Sequence, residues 1–379
     1  MRYTVKRSCT IIMCLAVSLV LAACASPLSS QSDASQNSAA RAETFTGVAV
    51  IRPHHYSESA FIERLDGALE LLERTELPYA GLENAWGAPA VSNGIVYLVA
   101  QGVEGVRDSR IVIGVDLVTG ETREYVVDRS ALKSVVATER YLFVTNVLND
   151  TSTITRVNRQ SAETTSIDFT GDFLVGITAC GERLAVLRQP GFDFSGDAEL
   201  VLLDEELAPL RVIPLKGLGS AANMTAVGGD TLCFGAYRED AASSTQYRNT
   251  LHLYSLTTGE LRTIDESDYR YGFAALSGEY LIALQSEVNL AEGNRILVFD
   301  STRGQSLSET VVDYMPQYLL AQDDLLYVAG FDQALGSYRL QQYRIGDNGS
   351  LNLIAETSLD SSALPRDGYG ISGLVPLMN

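Results

Sequence analysis

A strand–turn–strand unit recurs along most of the chain, and its clearest copy runs from Arg110 to Asp128 (RIVIGVDLVTGETREYVVD). Thr119-Gly120 is the predicted turn, and apolar residues alternate with polar ones around it. Seven copies align on the tetrapeptides RLDG (64–67), GVDL (114–117), RVNR (156–159), LLDE (202–205), LYSL (253–256), VFDS (298–301) and QYRI (342–345). Successive copies lie 42 to 51 residues apart, and each follows an apolar run that predicts another strand. This period, with four short strands per unit, is typical of a β-propeller.

The ends of the repeated region indicate how the ring closes. The first unit, residues 44–77, has only three predicted strands and lacks the innermost one, whereas the chain ends with a lone predicted strand, GISGLV (370–375). We expect this C-terminal strand to complete the first blade, because neither end of the ring then leaves a free sheet edge. The sequence therefore predicts an all-β fold, a seven-bladed propeller over residues 44–379. An eight-bladed ring with one degenerate unit is the alternative.

The first 43 residues have a different composition. Three basic residues precede an apolar stretch, residues 11–21, that is too short for a stable spanning helix. The following Leu21-Ala22-Ala23-Cys24 resembles the lipobox of bacterial lipoproteins, which implies a signal peptide over 1–23 and lipidation of Cys24. Residues 24–43 are rich in Ser, Ala, Gln and Asn and predict a flexible tether. We expect an extracytoplasmic protein, on the periplasmic or cell-surface side, that is held at a membrane by acyl chains.

The net charge and the cysteine content restrict which partners and which metal or redox sites are possible. The formal net charge of -19 argues against nucleic acid, because phosphate backbones are bound by basic surfaces. Beyond Cys24 only Cys180 and Cys233 remain, at different points of adjacent repeats, and we expect two buried free thiols rather than a disulfide. No zinc or redox spacing is present in the sequence.

Three of the predicted turns, VTGE (118–121), TTGE (257–260) and TRGQ (302–305), resemble those of quinoprotein-like repeats. Propeller lipoproteins of bacterial outer-membrane assembly carry similar repeats. The resemblance covers three of seven units and implies the propeller architecture. It does not extend to quinone binding, because the regular Trp that ends each repeat of that family is missing here.

In a four-stranded blade, the links between blades share one face of the ring with the loops between second and third strands. We call this side the long-loop face, and the opposite side, with turns such as 92–94 and 277–279, the short-turn face. The links on the long-loop face are rich in aromatic and acidic residues that could converge on the mouth of the central channel. Their candidate ligand-binding residues are Tyr79, Trp86, Asp268, Tyr269, Tyr271, Asp313, Tyr314, Tyr318, Asp367 and Tyr369. Aromatic rings with a polar tip suit sugars, peptides or a protein partner. The alternative is that these rings pack between blades.

The loops between second and third strands contribute a few further candidates. His54 and His55 precede Tyr56 in one loop and could point to one ligand, although a solvated pair is the simpler expectation. Asp193, Ser195 and Asp197 space oxygen atoms at every second residue, a pattern that suits calcium. It lacks the glycine and the distal Glu of an EF-hand loop, so a polar hairpin is the main interpretation and no other cofactor is predicted.

Two functions fit these observations. The first is a non-catalytic binding or scaffold lipoprotein whose long-loop face recognises a protein, peptide or glycan, as in envelope assembly. The second is a metal-assisted hydrolase or lyase with carboxylates gathered at the channel mouth. The sequence contains no Gly-x-Ser-x-Gly elbow and no phosphate-binding loop, and it has only three histidines. The first function is therefore favoured, and enzymatic activity is the alternative.

Overall fold

The computed structural model describes residues 47–54, 56–84, 87–103, 109–194, 196–227, 230–240, 243–267, 269–287, 292–359 and 368–377. These residues form an all-β, seven-bladed propeller, as the repeat predicted. Each blade is an antiparallel meander whose strands follow one another from the channel outward. The eight-bladed alternative is excluded.

Within these ranges, twenty-nine strands build the seven blades, and the innermost strand of each blade is given first. Blade 1 contains β29 (Gly373–Pro376), β1 (Gly47–Pro53), β2 (Ala60–Asp66) and β3 (Leu71–Leu77). Blade 2 contains β4 (Leu82–Glu83) with β5 (Ala90–Ser92), then β6 (Ile95–Ala100), β7 (Ile111–Asp116) and β8 (Thr122–Val126). Blade 3 contains β9 (Leu132–Ala137), β10 (Tyr141–Leu148), β11 (Thr151–Asn158) and β12 (Thr164–Thr170).

The remaining four blades are regular. Blade 4 contains β13 (Asp172–Cys180), β14 (Arg183–Pro190), β15 (Glu199–Asp204) and β16 (Pro209–Pro214). Blade 5 contains β17 (Ser220–Ala226), β18 (Thr231–Asp240), β19 (Ser243–Ser255) and β20 (Leu261–Ser267). Blade 6 contains β21 (Tyr271–Ser277), β22 (Tyr280–Glu287), β23 (Glu292–Asp300) and β24 (Ser306–Val311). Blade 7 contains β25 (Met315–Gln322), β26 (Leu325–Asp332), β27 (Ser337–Ile345) and β28 (Leu351–Leu359).

The C-terminal strand closes the ring in blade 1, which confirms the expectation drawn from the chain ends. β29 pairs antiparallel with β1, with Val375 opposite Ala49. Two backbone hydrogen bonds extend the pairing beyond β29, from Ser372 to Ile51 and from Gly370 to Pro53, both at 3.0 Å. The innermost strand of blade 1 therefore comes from the opposite end of the chain to the other three.

The recurring polar residue before each tight turn has a local structural role. The side-chain oxygen of Asp116 accepts hydrogen bonds from the backbone of Val118 and Thr119, both at 2.8 Å. Asp66, Asn158, Asp204, Ser255 and Asp300 act in the same way in other blades. Side-chain oxygens of this kind satisfy turn N–H groups that the strand ladder leaves unpaired. The repeat signature is thus largely a turn-capping signature.

Alternation along the second strands distributes the core between adjacent blades. In β1, Val48 and Val50 pack in the cluster shared with blade 7, whereas Ala49 and Ile51 pack in the cluster shared with blade 2. Side chains of a strand point to opposite faces in turn, so one apolar strand serves two interfaces. Each of the seven interfaces has an apolar cluster of this kind.

Cys180 and Cys233 are free and buried, in agreement with the expectation of two separate thiols. Burial raises the pKa of these thiols to about 11 and about 12, respectively. Within the described ranges, no helix has the length and hydropathy needed to span a membrane.

Leu374 tests the closure of the ring. Its side chain is buried in the cluster between blades 7 and 1. We expect Leu374→Ala to lower the free energy of unfolding by about 2 to 5 kcal/mol, because it leaves a cavity at the closure. Leu353→Ala, on the half-exposed outer strand β28, should change it by less than about 0.5 kcal/mol. Equal shifts of the urea midpoint for both variants would contradict a closure that depends on β29.

Candidate functional site

Several predicted site residues lie outside the described residues. They are Cys24, His55, Trp86, Ser195, Asp268 and Asp367, together with the signal and tether segments at 1–23 and 24–43. Their roles stay predictions from the sequence.

Three of the predicted tyrosines are buried between or within blades. The Tyr271 hydroxyl donates to Asp265 and receives a hydrogen bond from Gln285 at 3.2 Å. Tyr314 lies in the cluster between blades 6 and 7 and donates to the Val328 carbonyl at 3.4 Å. Burial raises the pKa of both hydroxyls well above the ordinary range. For these two side chains the packing alternative holds, because both rings fill space within or between blades.

Tyr369 is buried at the closure of the ring. Its hydroxyl lies 2.5 Å from the Ser59 Oγ atom, and its ring packs on Phe61 and His54 at centroid distances of 5.2 and 5.0 Å. An isolated bridge pairs the backbones of His54 and Tyr369. This residue therefore fixes the link into β29 to the loop between β1 and β2.

Three other predicted tyrosines remain partly exposed. Tyr79 donates to Glu124 at 2.7 Å, and burial together with this bond raises its pKa to about 12. The Arg295 guanidinium lies over the Tyr269 ring, 5.6 Å from the ring centroid. Tyr318 packs against Phe273 of the neighbouring blade at 5.5 Å. These rings are held in different blades, so they offer separate contact points.

Asp313 has an exposed carboxylate that is engaged by an arginine. Its two oxygens accept from the Arg339 Nη1 atom at 3.0 and 3.2 Å, and the same guanidinium also pairs with Asp332. Arg339 thus pairs with Asp332 in blade 7 and with Asp313 in the link that leads into this blade. The Asp313 carboxylate is therefore ion-paired, although its side chain is 71% exposed.

The loop between β1 and β2 presents an aromatic ring on an ordered base. His54 is only 7% exposed, so the expectation of a solvated pair was wrong for this residue. Its Nδ1 atom accepts from the Tyr56 backbone at 3.1 Å, which places the proton of a neutral ring on Nε2. Tyr56 itself is 70% exposed. His54 therefore supports the loop from below, and Tyr56 is the residue whose ring is exposed to solvent.

Arg52 holds this loop and the closing segment together. Its buried guanidinium pairs with Glu63 at 3.1 Å and donates from Nε to the Gly370 carbonyl at 2.9 Å. Glu63 also pairs with Arg74 at 2.7 Å. A buried charge is tolerated only with such partners, and removing one of them is strongly destabilising. The sequence shows the three charged residues but not that they meet across one blade.

The central channel contains a cavity of about 220 Å³ that is lined by the innermost strands of blades 2 to 5. Its described lining consists of small, apolar and neutral polar residues, such as Ser134, Gly176 and Thr178, and none of them is titratable. None of the candidate tyrosines that the structure describes lines this cavity. General acid–base chemistry needs a titratable group within hydrogen-bond reach of the substrate, and this lining supplies none.

The loop proposed for calcium is organised by backbone hydrogen bonds. The two carboxylate oxygens of Asp197 accept from Gly217 at 2.8 Å and from Gly219 at 2.9 Å. In the part of the chain that the structure describes, no group of three or more His, Cys, Asp or Glu residues is arranged to hold a metal. The polar-hairpin interpretation fits Asp197 better than the calcium one.

His252 lies in the third strand of blade 5. Its ring stacks on Phe234 at 5.5 Å, and its nitrogens lie 2.7 and 3.2 Å from the hydroxyls of Thr250 and Thr263. Burial lowers the pKa of His252 to about 4. This histidine is a neutral part of the core.

Comparison with known proteins supports the fold alone. No protein-family profile and no curated protein sequence matches the chain. Hsv2 of Kluyveromyces lactis is similar in structure, with a TM-score of 0.55 at 11% identity over 82% of this chain and 100% of Hsv2. Hydrazine synthase of Kuenenia stuttgartiensis has a TM-score of 0.51 at 15% identity, over 74% of this chain and 88% of its own. A chain of the mitotic checkpoint complex has a TM-score of 0.54 at 9% identity, over 72% of this chain and 81% of its own. Enzymes and assembly proteins share this fold, so the fold does not decide the function.

The role of Asp197 can be tested with calcium. We expect Asp197→Ala to lower the free energy of unfolding by about 1 to 2 kcal/mol, because two backbone N–H groups lose their acceptors. Asp197→Asn retains one acceptor, so its free energy of unfolding should lie between those of Asp197→Ala and the wild type. Millimolar calcium should leave all three urea midpoints unchanged. A midpoint that rises with calcium only in the wild type would restore the metal interpretation.

His252 predicts a component of acid sensitivity. The unfolded chain takes up a proton on this residue near pH 6.5, whereas the folded protein does so only near pH 4. Stability should therefore fall as the pH drops through this window, by up to about 3 kcal/mol from this group. We expect His252→Gln to be less stable at neutral pH but to lose less on acidification, measured by urea unfolding between these pH values. An identical loss in both proteins would contradict a neutral buried His252.

Proposed function

We propose that this protein is a lipid-anchored, extracytoplasmic binding module whose propeller engages a protein partner through the long-loop face. Exposed Tyr56 on its ordered base is the observation that carries the proposal. Exposed aromatic rings on rigid supports are typical of interaction hot spots, because they bury a large area at low entropic cost. Glycan or peptide partners are the alternatives within the same binding function.

Other exposed apolar side chains lie on the same face. Leu148 and Leu335 border loops between second and third strands, and Val126 and Val311 end the outer strands β8 and β24. Exposed apolar residues also occur on the short-turn side, for example Val118 in the turn after β7. The partly exposed rings of Tyr79 and Tyr269 also lie on the long-loop face.

The acyl chains on Cys24 would supply the membrane association, and the propeller would supply recognition without chemistry of its own. The untitratable lining of the channel and the engagement of Asp313 by Arg339 support the non-catalytic role. No observation among the described residues favours the metal-assisted alternative.

Crosslinking in the native membrane tests the proposal. We expect Tyr56→Ala to remove most of a crosslinked partner that the wild type captures, since the central aromatic contact is lost. Val118→Ala is the matched control, because Val118 is equally exposed but lies on the short-turn face. Retention of the partner by Tyr56→Ala, or equal loss in both variants, would contradict recognition through the long-loop face.

Substituting Cys24 by Ser should release the protein from the membrane fraction.

A further inference from the structure

Three phenylalanines meet on the long-loop face at the boundary of blades 4 and 5. Phe173 is the second residue of the innermost strand β13, and Phe192 and Phe194 belong to the loop between β14 and β15. The Phe173 ring lies 5.7 Å from the Phe192 ring and 5.1 Å from the Phe194 ring between centroids, both edge to face. Aromatic pairs favour this arrangement. We name these three residues the blade 4 aromatic cluster.

The blades cover the aromatic cluster only in part. All three rings are partly exposed to solvent. Phe173 packs against the apolar cluster between blades 4 and 5, which contains Val175 and Met224. Leu148, at the end of β10 on the neighbouring blade, is 50% exposed on the same face. An accessible apolar surface therefore extends over this part of the ring.

The loop between β14 and β15 holds Phe194 in an unusual backbone conformation. Its φ is +56°, in the left-handed region that bulky residues rarely adopt. The Ser220 hydroxyl donates to the Phe194 carbonyl at 2.6 Å, and the Gln189 amide donates to the Gly196 carbonyl at 2.6 Å. Such a conformation costs free energy and persists only where the surrounding contacts enforce it. These contacts fix the position of the Phe194 ring on Phe173.

Further hydrogen bonds connect this loop to the adjacent blades. The Gly191 N–H group donates to the Gly171 carbonyl at 3.0 Å, and the Gly171 N–H group donates to the Asp150 carbonyl at 2.7 Å. The Asp197 carboxylate anchors the other end of the loop to the link that leads into β17. The aromatic cluster thus stands on a fixed base, which lowers the entropic cost of binding a partner.

Exposed carboxylates border the aromatic cluster. Asp193 and Asp197 lie in its loop, and Asp150 lies at the tip of the neighbouring loop between β10 and β11. Among the described side chains of these two loops and of the link 215–219, Lys216 is the one exposed base. The surface around the three rings is therefore negative.

Arg188, which lies in β14 near the aromatic cluster, is already neutralised. Its guanidinium pairs with Asp172 at 3.1 Å and also with Glu199. All three side chains are partly buried, with 22 to 24% exposed. Arg188 therefore does not offset the exposed carboxylates, and a basic partner would supply the complementary charge. A neutral ligand would gain no attraction from this charge.

We propose that the blade 4 aromatic cluster binds a basic segment of the protein partner, in which an aromatic side chain is flanked by lysine or arginine. The aromatic side chain packs against Phe192 and Phe194, and its basic neighbours approach Asp193 and Asp150. The cluster lies on the long-loop face, so the assignment rests on the proposed function and adds the chemistry of the partner.

Defined peptides test this surface. The full-length protein in detergent is titrated with the fluorescein-labelled peptide Lys-Ala-Lys-Phe-Phe-Lys-Ala-Lys, and binding is followed by fluorescence anisotropy. We expect this peptide to bind and the peptide with Ala in place of Phe to bind about tenfold more weakly or less. The peptide with Glu in place of Lys should not bind. Binding should also weaken as the salt concentration rises, because ions screen the attraction between exposed charges.

Two variants locate the binding on the protein. Phe192→Ala should weaken binding of the basic aromatic peptide about tenfold, since an aromatic contact is lost. Its matched control is Phe331→Ala, because Phe331 is also partly exposed and packs edge to face on Tyr338, on the long-loop face of blade 7. Asp193→Asn removes an exposed charge without touching the core and should weaken binding as well. Asp324→Asn, on the short-turn face, is its control. Both controls should leave binding unchanged.

Several results would overturn the proposal. They are the absence of binding by the basic aromatic peptide, equal binding of the Lys and Glu peptides, and equal binding by wild type, Phe192→Ala and Asp193→Asn. Binding of neutral glycans in place of the peptide would overturn it too. Crosslinking through Tyr56 reports on blade 1. A partner that is lost in Tyr56→Ala, together with no peptide binding, would overturn the basic-segment assignment and leave the proposed function standing.

Discussion

The pairing of β29 with β1 is the contact on which the whole ring depends. A single blade exposes an apolar surface on both sides and cannot bury it alone, so each blade is stable only between two neighbours. β29 contributes Leu374 to the cluster with blade 7 and Val375 to the cluster with blade 2. Closure therefore completes two interfaces at once and removes the sheet edge that a three-stranded first blade would expose.

The same closure organises part of the long-loop face. The chain segment that leads into β29 carries Tyr369, which packs against His54 and Phe61, and the Gly370 carbonyl that accepts from buried Arg52. The base below Tyr56 is thus assembled from residues more than 300 positions apart. A surface loop gains a fixed shape because it borders the one point where the two ends of the chain meet.

Much of the fold could be predicted from the sequence because its causes are local. Strand alternation recurs in every unit and turn-capping residues such as Asp116 and Asp300 recur in six of the seven, so the number of blades could be counted from the repeats. The orientation of individual rings could not be predicted in this way. Tyr269 and Tyr271 are two residues apart in one link, but only Tyr271 is buried, because β21 begins there and directs its ring toward Asp265 and Gln285. The burial of His54 likewise depends on Tyr369, which is distant in sequence.

Gly114 shows how one unit of a regular scaffold departs from the others. It stands directly before the aligned apolar position of its repeat, where the other units have a large side chain, so the signal was visible in the alignment. Its meaning required the cross-strand register, which places it opposite Tyr97 rather than in a turn. A Cβ atom at this position would lie 3.0 Å from the Tyr97 ring, so glycine lets this buried ring pack directly on β7, where the other blades place a bulky side chain. The departure from the repeat is therefore a local packing solution, and it can be recognised only once the register is known.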